Sequence, residues 1–143
     1  MHFYKTIFVL LIMFTNSKLF SYEEGIALNG DLEIYYRDYG PKDAEPILLV
    51  QGIGGQLINW PEHLIDFLLD NNFRPIVYDN RDTGLSSRIP SDSFSDAKRD
   101  NTIVKNYIRY YLRLPIASDY TLDDMAVDGI SVLNKLDIAE AHI

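Results

Sequence analysis

Residues 47–55 read Ile-Leu-Leu-Val-Gln-Gly-Ile-Gly-Gly, and this stretch decides the fold. Ile47–Val50 is apolar on both faces, which is typical of a strand buried inside a parallel sheet. The glycine-rich loop Gln51–Asn59 follows. Pro61 suits the first turn of a helix running to about Asn71, and its predicted inner face carries Leu64, Ile65 and Leu68. A second short buried strand, Ile76–Tyr78, then ends in Asp79, so the chain returns to the sheet after one helix.

The flanking segments extend this alternation of strands and helices. Gly25–Leu28 and Leu32–Asp38 flank Asn29-Gly30, a dipeptide that predicts a tight hairpin because both residues tolerate positive φ. After a largely polar stretch, apolar residues recur at helical spacing: Val104, Tyr107, Ile108, Tyr111 and Leu114. Thr121 and Asp124 then form a capping box before a helix to about Leu136, whose predicted buried face is Leu122, Met125, Gly129, Leu133 and Leu136.

Residues 141–143 resemble the opening of a further strand, and the whole order predicts an α/β fold. Ligands of open α/β sheets bind at the carboxyl ends of the strands. Two polar, glycine-containing loops leave such ends, Gln51–Asn59 and Asn80–Arg88. We therefore expect a site where these loops meet.

Composition narrows the function. The 143 residues contain 21 acidic and 13 basic side chains, a net charge of −8, which argues against a nucleic-acid partner because binding phosphates requires a basic face. The chain has no Cys, which excludes disulfides, Cys-ligated zinc and thiol nucleophiles. Its histidines are His2, His63 and His142.

The amino terminus has the pattern of a secretory signal peptide, predicted over residues 1–21 and followed by the domain at 22–143. Lys5 supplies a positive charge, Ile7–Phe14 is an unbroken apolar run, and small residues near Ser17 and Ser21 offer cleavage points. The protein is thus expected to be exported, periplasmic or secreted. Alternatives are a membrane anchor, for which the run is short of the ~20 residues of a spanning helix, or a buried helix.

The glycine loop admits two interpretations. As a dinucleotide-binding loop it would pair with Asp79 as the ribose-binding acid, but Leu57 stands where G-x-G-x-x-G needs its third glycine and the helix begins late. As an oxyanion loop, its backbone N–H groups would face the negative charge that develops in acyl transfer.

Four segments in order carry a resemblance to a known family: Leu48–Gly55, Trp60-Pro61, Tyr78–Ser87 and Tyr120–Ala126. Together they resemble the α/β-hydrolase superfamily, and within it bacterial carboxylesterases that include aclacinomycin methylesterase-like proteins. The resemblance covers roughly Leu32 to Ile143. It implies an α/β-hydrolase fold that stops before the nucleophile elbow.

The resemblance also implies roles for individual residues. The oxyanion donor would be the backbone N–H of Ile53, with Gly52, Gly54 and Gly55 lining the substrate side of the loop. The family's loop usually begins with His-Gly, whereas Gln51 stands here, a difference that concerns how the loop is braced and leaves the donor in place.

The D-x-R-x-x-G-x-S stretch maps onto Asp79, Arg81, Gly84 and Ser86, and in the family it shapes the wall beside the site. The favoured reading of Arg81 is an ion pair with Asp79 or Asp82. Ser86 is not predicted as a nucleophile because its surroundings lack the second glycine of an elbow, and residues 129–133 fail for the same reason inside a helix.

Other chemically capable residues are interpreted mainly as structural. His142 opens the last strand, near the family's nucleophile motif, and His63 is predicted at the surface. A metal reading of Asp123, Asp124 and Asp128 competes with the preference of a helix N-terminus for acids. A tyrosine cluster is predicted to pack in the core and cap, or else to line an acyl pocket: Tyr107, Tyr110 and Tyr111.

In the resembled family, the serine of G-x-S-x-G, the acid and the histidine follow in chain order, and none is present here. We expect an amino-terminal part of a serine hydrolase for carboxylic esters, with no metal or organic cofactor and a small-molecule ester as partner. By itself it should lack esterase turnover and fold poorly, because its buried strands would form an exposed edge. Alternatives are a non-catalytic binding module, or a cofactor-free haloperoxidase or lyase on the same fold.

Overall fold

The computed structural model describes residues 21–52, 54–89, 96–114 and 119–143, with the backbone alone for 96–103. Residues 1–20 of the predicted leader lie outside the described part of the chain. The strands are β1 (Tyr22–Asn29), β2 (Leu32–Tyr39), β3 (Glu45–Leu49) and β4 (Phe73–Tyr78). The helices are α1 (Glu62–Asp70), α2 (Asp96–Tyr111) and α3 (Leu122–Lys135), with a 3₁₀ turn at Leu57–Asn59.

The strands form one mixed sheet in the order β1-β2-β4-β3. The hairpin predicted at Asn29-Gly30 is confirmed: β1 and β2 pair antiparallel from Asn29 and Leu32 outward, and Gly30 has a φ of +60°. β3 and β4 pair in parallel, as expected. His142 adds a parallel bridge to Ile47 on the other side of β3, which is the predicted opening of the next strand.

Two apolar layers cover the two faces of this sheet. One packs α3 on the sheet through Val132, with Ile34, Tyr36, Ile76 and Tyr78 among the strand residues. The other contains Val77, Ile65 of α1 and Leu57. Neighbouring residues of β4 thus face opposite layers, as the two-residue repeat of a strand requires. Helices therefore cover both faces, which confirms the α/β fold class.

β4 begins three residues earlier than the sequence predicts, and it does so despite Pro75. The ladder with β2 starts only at Ile76. Pro75 pairs only with β3, opposite Ile47. Its missing N–H therefore leaves no gap in the ladder with β2, which explains how a proline is accommodated in a central strand.

The amphipathic faces of α1 and α3 differ in how well they match expectation. In α1, Ile65 and Leu68 are buried as predicted. In α3 the capping box of Thr121 and Asp124 is present, but the predicted face is partly wrong, because Leu122 is 79% exposed while Asp128 is fully buried. The helix is rotated so that Asp128 reaches polar partners, described below.

α2 confirms the predicted helical spacing from Val104 to Tyr111 but ends before Leu114, and it does not place its tyrosines in the core. Tyr107, Tyr110 and Tyr111 are 72%, 73% and 82% exposed, so they are not core residues among the described part of the chain. Among the described residues, no helix combines the length and apolarity needed to cross a membrane.

Candidate functional site

The two loops predicted to form a site do lie together. They leave the carboxyl ends of β3 and β4, which are parallel neighbours in the sheet. Their closeness is direct, since the Asn80 side-chain amide donates to the Gln51 carbonyl over 3.1 Å. The site is thus at the edge of the sheet where an α/β fold places its ligands.

The glycine loop contains a tight turn. The Gly55 N–H donates to the Gly52 carbonyl over 3.0 Å, and Gly54 has a φ of +75°, a conformation that favours glycine. Gly52 has open space where a Cβ would stand, whereas at Gly55 that position meets the Gln51 side chain. Ile53, the predicted oxyanion donor, lies outside the described residues. The roles of Gly52, Gly54, Gly55 and Ile53 therefore stay predictions.

Asp79 connects the glycine loop to the loop after β4. Its Oδ1 accepts from the Leu57 N–H over 2.8 Å, and its Oδ2 accepts from the Leu85 N–H over 2.9 Å. The side chain is buried, at 3% exposure. Both carboxylate oxygens are used by backbone donors, an arrangement that favours the structural interpretation over a ribose-binding one.

Ser86 and Ser87 fasten the second loop to β2. The Ser86 hydroxyl donates to the Asp79 carbonyl over 2.6 Å and accepts from the Tyr35 N–H over 2.9 Å. Ser87 exchanges two hydrogen bonds with the backbone of Glu33. These contacts give Ser86 a structural role in the described part of the chain, in agreement with its exclusion as a nucleophile.

Arg81 forms a buried ion pair, but the predicted partner is wrong. Its Nε and Nη2 donate to the two carboxylate oxygens of Asp128 over 2.6 and 2.8 Å. Asp79 is engaged by backbone amides, and Asp82 Oδ1 accepts from the Ile89 N–H. Sequence proximity suggested the nearer acids, whereas the fold brings α3 against this loop.

Further groups complete the surroundings of this ion pair. Arg81 Nη2 also donates to the Asp124 carbonyl over 2.9 Å, and its guanidinium lies 5.2 Å from the centre of the Tyr120 ring. Asn29, in the hairpin, donates to Asp128 Oδ1 over 2.7 Å. The pair therefore joins the second loop, α3 and the hairpin.

These contacts alter proton affinities. Hydrogen bonding to Asp128 raises the pKa of Arg81 above its ordinary value, so the guanidinium stays charged. Burial, with a smaller contribution from Asp128, raises the pKa of Tyr78 to about 12. The phenol is consequently neutral at physiological pH.

An apolar cavity of about 400 Å³ adjoins the glycine loop. Gln51, Gly52 and Asn80 line its polar end. The remaining wall is mostly apolar and comes from β3, β4 and α3, with Leu48, Val50, Tyr78, Met125, Leu133 and Ile143 among the lining residues. The start of the glycine loop and Asn80 therefore lie beside a mostly apolar volume.

The histidines and the acids of α3 have individual positions. His63 is exposed, as predicted, and His142 contacts Glu45 over 2.7 Å at the start of β3. Asp124 caps α3 and Asp128 binds Arg81, which accounts for two of the three acids considered for a metal. In the part of the chain that the structure describes, no cluster of His and acidic side chains has the makings of a metal site.

Sequence reasoning considered Asp128 only as a metal ligand or a helix-end acid and missed its pairing with Arg81. It also missed the bond from Asn29 to Asp128 and the bond from Asp79 to Leu57. For Asp128 a signal existed, because it stands three residues after Met125 and next to Gly129, two residues of the predicted buried face of the helix. An acid there implies a buried basic partner. No local pattern marks the other two contacts.

The fold and site define a class of protein. It is an α/β domain in which a glycine loop and a second loop, joined by the buried Asp79, follow the carboxyl ends of two parallel strands. No family model matches the chain. It is 31% identical over 119 residues to a non-heme chloroperoxidase of Burkholderia pyrrocinia, covering 82% of this chain and 33% of the relative. It is 40% identical over 114 residues to the carbamate hydrolase RutD of Variovorax paradoxus (strain S110), covering 78% and 32%.

Solved structures agree with this class. One is a structure described as that of novel epoxide hydrolases of the α/β-hydrolase superfamily, from metagenomes of hot environments. Its TM-score is 0.58 at 21% identity, and the match covers 85% of this chain and 32% of the solved chain. The chain belongs to the α/β-hydrolase superfamily. It spans about a third of the length of the curated relatives it matches.

Proposed function

We propose that this chain is part of a serine hydrolase that acts on carboxylic esters through an acyl-enzyme. Its contribution would be the glycine loop, with the Ile53 N–H as an oxyanion donor and Gly52, Gly54 and Gly55 beside the substrate. The observation that supports this most is the position of the loop, fixed at the carboxyl end of β3 and open toward an apolar cavity. Backbone donors beside an apolar volume would suit the stabilisation of a developing oxyanion.

The nucleophile would come from residues that follow Ile143. His142 stands opposite Ile47 in parallel register, so a strand continuing in that register runs beside Leu49 and Val50 toward the glycine loop. A serine at the end of such a strand would lie next to the proposed oxyanion donor. The matched relatives are about three times as long as the matched segment, which leaves room for the serine, the acid and the histidine.

The test begins with the gene. We expect the reading frame to continue past codon 143 into G-x-S-x-G, with a later acid and histidine. The extended protein should then hydrolyse p-nitrophenyl esters of short acyl chains, and the 143-residue chain should not. The matched control is the extended protein with the elbow serine changed to Ala, which retains binding groups but loses the acyl-enzyme. A stop codon directly after Ile143, or an extended protein equally active without the serine, would overturn the proposal.

A second candidate is cofactor-free haloperoxidase chemistry on the same triad. It is favoured by one observation, the similarity to a protein named as a non-heme chloroperoxidase. The extended protein assayed with hydrogen peroxide, a carboxylic acid and bromide separates the two. Halogenation that exceeds ester hydrolysis would favour this alternative. A non-catalytic binding module would show neither activity and would bind esters without converting them.

Export is a further part of the proposal. It is supported by the cationic start and the apolar run Ile7–Phe14 of the sequence. N-terminal sequencing of the protein from its source is expected to begin after Ser17 or Ser21. A mature protein that retains Met1 would contradict cleavage.

A further inference from the structure

We propose that Asp79, together with Asn80, is a positioning element that sets the shape of the glycine loop. These two consecutive residues follow β4 and hold both ends of that loop. Asn80 Nδ2 donates to the Gln51 carbonyl over 3.1 Å, and Asp79 Oδ1 accepts from the Leu57 N–H over 2.8 Å. The inference rests on the proposed function of the loop as an oxyanion donor. It identifies the side chains that hold the loop in the geometry that this function needs.

The first half of the loop is rich in glycine, so it has few side chains of its own that could hold its backbone. At Gly52 and Gly54 a Cβ would stand in open space. Within the described residues, the loop has two turns of its own: one is closed by the Gly55–Gly52 hydrogen bond, and the other lies at Gln56–Asn59, where the Asn59 side chain accepts from the Gln56 N–H over 2.7 Å. The Gln51 side chain packs against Gly55, and Leu57 is buried. We therefore infer that the two anchors, which flank the glycine-rich part, set the geometry of the backbone between them. The two residues that follow β4 therefore support the loop in a chain that has Gln51 where the resembled family usually has a histidine.

Gly84 keeps Asp79 in place from the opposite side. A Cβ at Gly84 would lie 1.9 Å from Asp79 Oδ2, and Gly84 has a φ of +52°. Only glycine fits there without displacing the carboxylate. A methyl group at Gly84 would thus disturb the glycine loop through Asp79.

The experiment measures the hydrogen-exchange rates of the Leu57 and Gly55 amides by NMR in the full chain. Asp79→Asn removes one acceptor, and Gly84→Ala displaces the carboxylate while changing neither bonded atom. Both are expected to speed exchange at Leu57 and, more tellingly, at Gly55 by about tenfold or more, because a charge-assisted hydrogen bond is lost. Asn80→Ala should speed Gly55 as well and keeps the test valid if Asp79→Asn does not fold. The matched control is Asp82→Asn, whose carboxylate holds the Ile89 N–H in the same second loop, and it should leave both amides unchanged.

The outcomes separate positioning from general stability. Faster exchange at Gly55 and Leu57 with unchanged exchange in the β1–β2 hairpin supports the proposal. Equal acceleration everywhere, or unchanged exchange at Gly55, overturns it.

An activity arm applies to the extended protein. Asp79→Asn should lower kcat while KM stays within about twofold, because an oxyanion donor acts in the transition state. Unchanged kcat would overturn the positioning role. Absence of ester hydrolysis in the unmodified extended protein would instead overturn the proposed function and leave the exchange result standing.

Discussion

Two buried Arg–Asp pairs lie near the two ends of β4, and they connect different parts of the fold. Arg74 binds Asp38 with Nε–Oδ1 and Nη2–Oδ2 distances of 2.8 and 2.6 Å. Arg81 binds Asp128 with equally short contacts. The first pair joins β4 to β2, strands that already pair through their backbones. The second joins a loop, a helix and a hairpin.

The difference shows that a buried charge pair adds a new connection only where the backbones of the two segments do not already pair. Asp38 lies opposite Ile76 in the ladder, two residues from Arg74, so the pair reinforces an existing register. Arg81 and Asp128 belong to segments without backbone pairing to each other among the described residues, and Asn29 adds a third. We therefore expect loss of the second pair to disturb the site, and loss of the first to disturb stability alone.

The largest effect is expected for Asp128→Ala. It leaves the Arg81 guanidinium buried without its carboxylate, a change that costs about 3–5 kcal/mol in comparable cases. Urea unfolding monitored by circular dichroism measures this, and Gly55 exchange should accelerate as well. The control Asp123→Ala, exposed in the first turn of the same helix, should cost at most about 1 kcal/mol. A loss below about 1 kcal/mol for Asp128→Ala would show that the pair is dispensable.

A slightly smaller loss is expected for Asp38→Ala. Arg74 loses its partner, with a cost of about 3 kcal/mol, but the β2–β4 ladder remains to hold the strands. The hydrogen-exchange rates of the Gly55 and Leu57 amides, relative to those of the hairpin amides, should stay unchanged. Because the two pairs share no partner, the double variant should lose the sum of the single losses within about 0.5 kcal/mol. A strongly non-additive result would mean that both pairs form one network, and the comparison would fail.

A third effect concerns alkaline pH and the influence of Asp128 on Tyr78. The Tyr78 pKa is about 12 in the folded chain against about 10 unfolded, so the unfolded state releases its proton first. Stability from this group is complete below pH 10 and is lost as pH rises toward 12. In Asp128→Asn the pKa should fall, and in Asp38→Asn it should not. Titration of ¹³C-labelled tyrosine rings by NMR decides this, with equal shifts in both variants as the contrary result.

The smallest effect is expected at the helix cap near the second pair. Thr121→Ala removes the N-cap hydroxyl and should cost about 1 kcal/mol, while Thr121→Ser should be nearly neutral. Hydrogen bonds from Thr121 lower the pKa of Asp124, so the stability from this box is present above the unfolded pKa and is lost as pH falls through the lowered value. Thermal unfolding between pH 2 and 7 should show a weaker acid dependence for Thr121→Ala. An unchanged dependence would contradict the assignment.

Much of the fold could be predicted because its signals are local. The Asn29-Gly30 dipeptide marks the hairpin, the Thr121–Asp124 box marks the start of α3, and a short apolar run marks β3. What failed depends on partners distant in sequence. The first half of β4 was missed because Pro75 argues against a central strand, and the face of α3 was misjudged because Arg81 draws Asp128 inward.

The candidate site shows the same division. The meeting of the two loops was predictable from strand direction, since parallel neighbours end at one edge of a sheet. The partner of Arg81 was not, because three acids near it in sequence or space are chemically equivalent until the fold is known. The brace from Asp79 to Leu57 was also missed, because a backbone N–H carries no mark in the sequence.

The Asn29–Asp128 hydrogen bond has a consequence for the order in which the chain assembles. Its residues are 99 positions apart, so forming the contact closes a long loop of the chain. Contacts of such long range carry a high closure entropy and tend to form late on the folding route. We therefore expect this bond to form late, so that its loss in Asn29→Ala would speed unfolding more than it would slow folding.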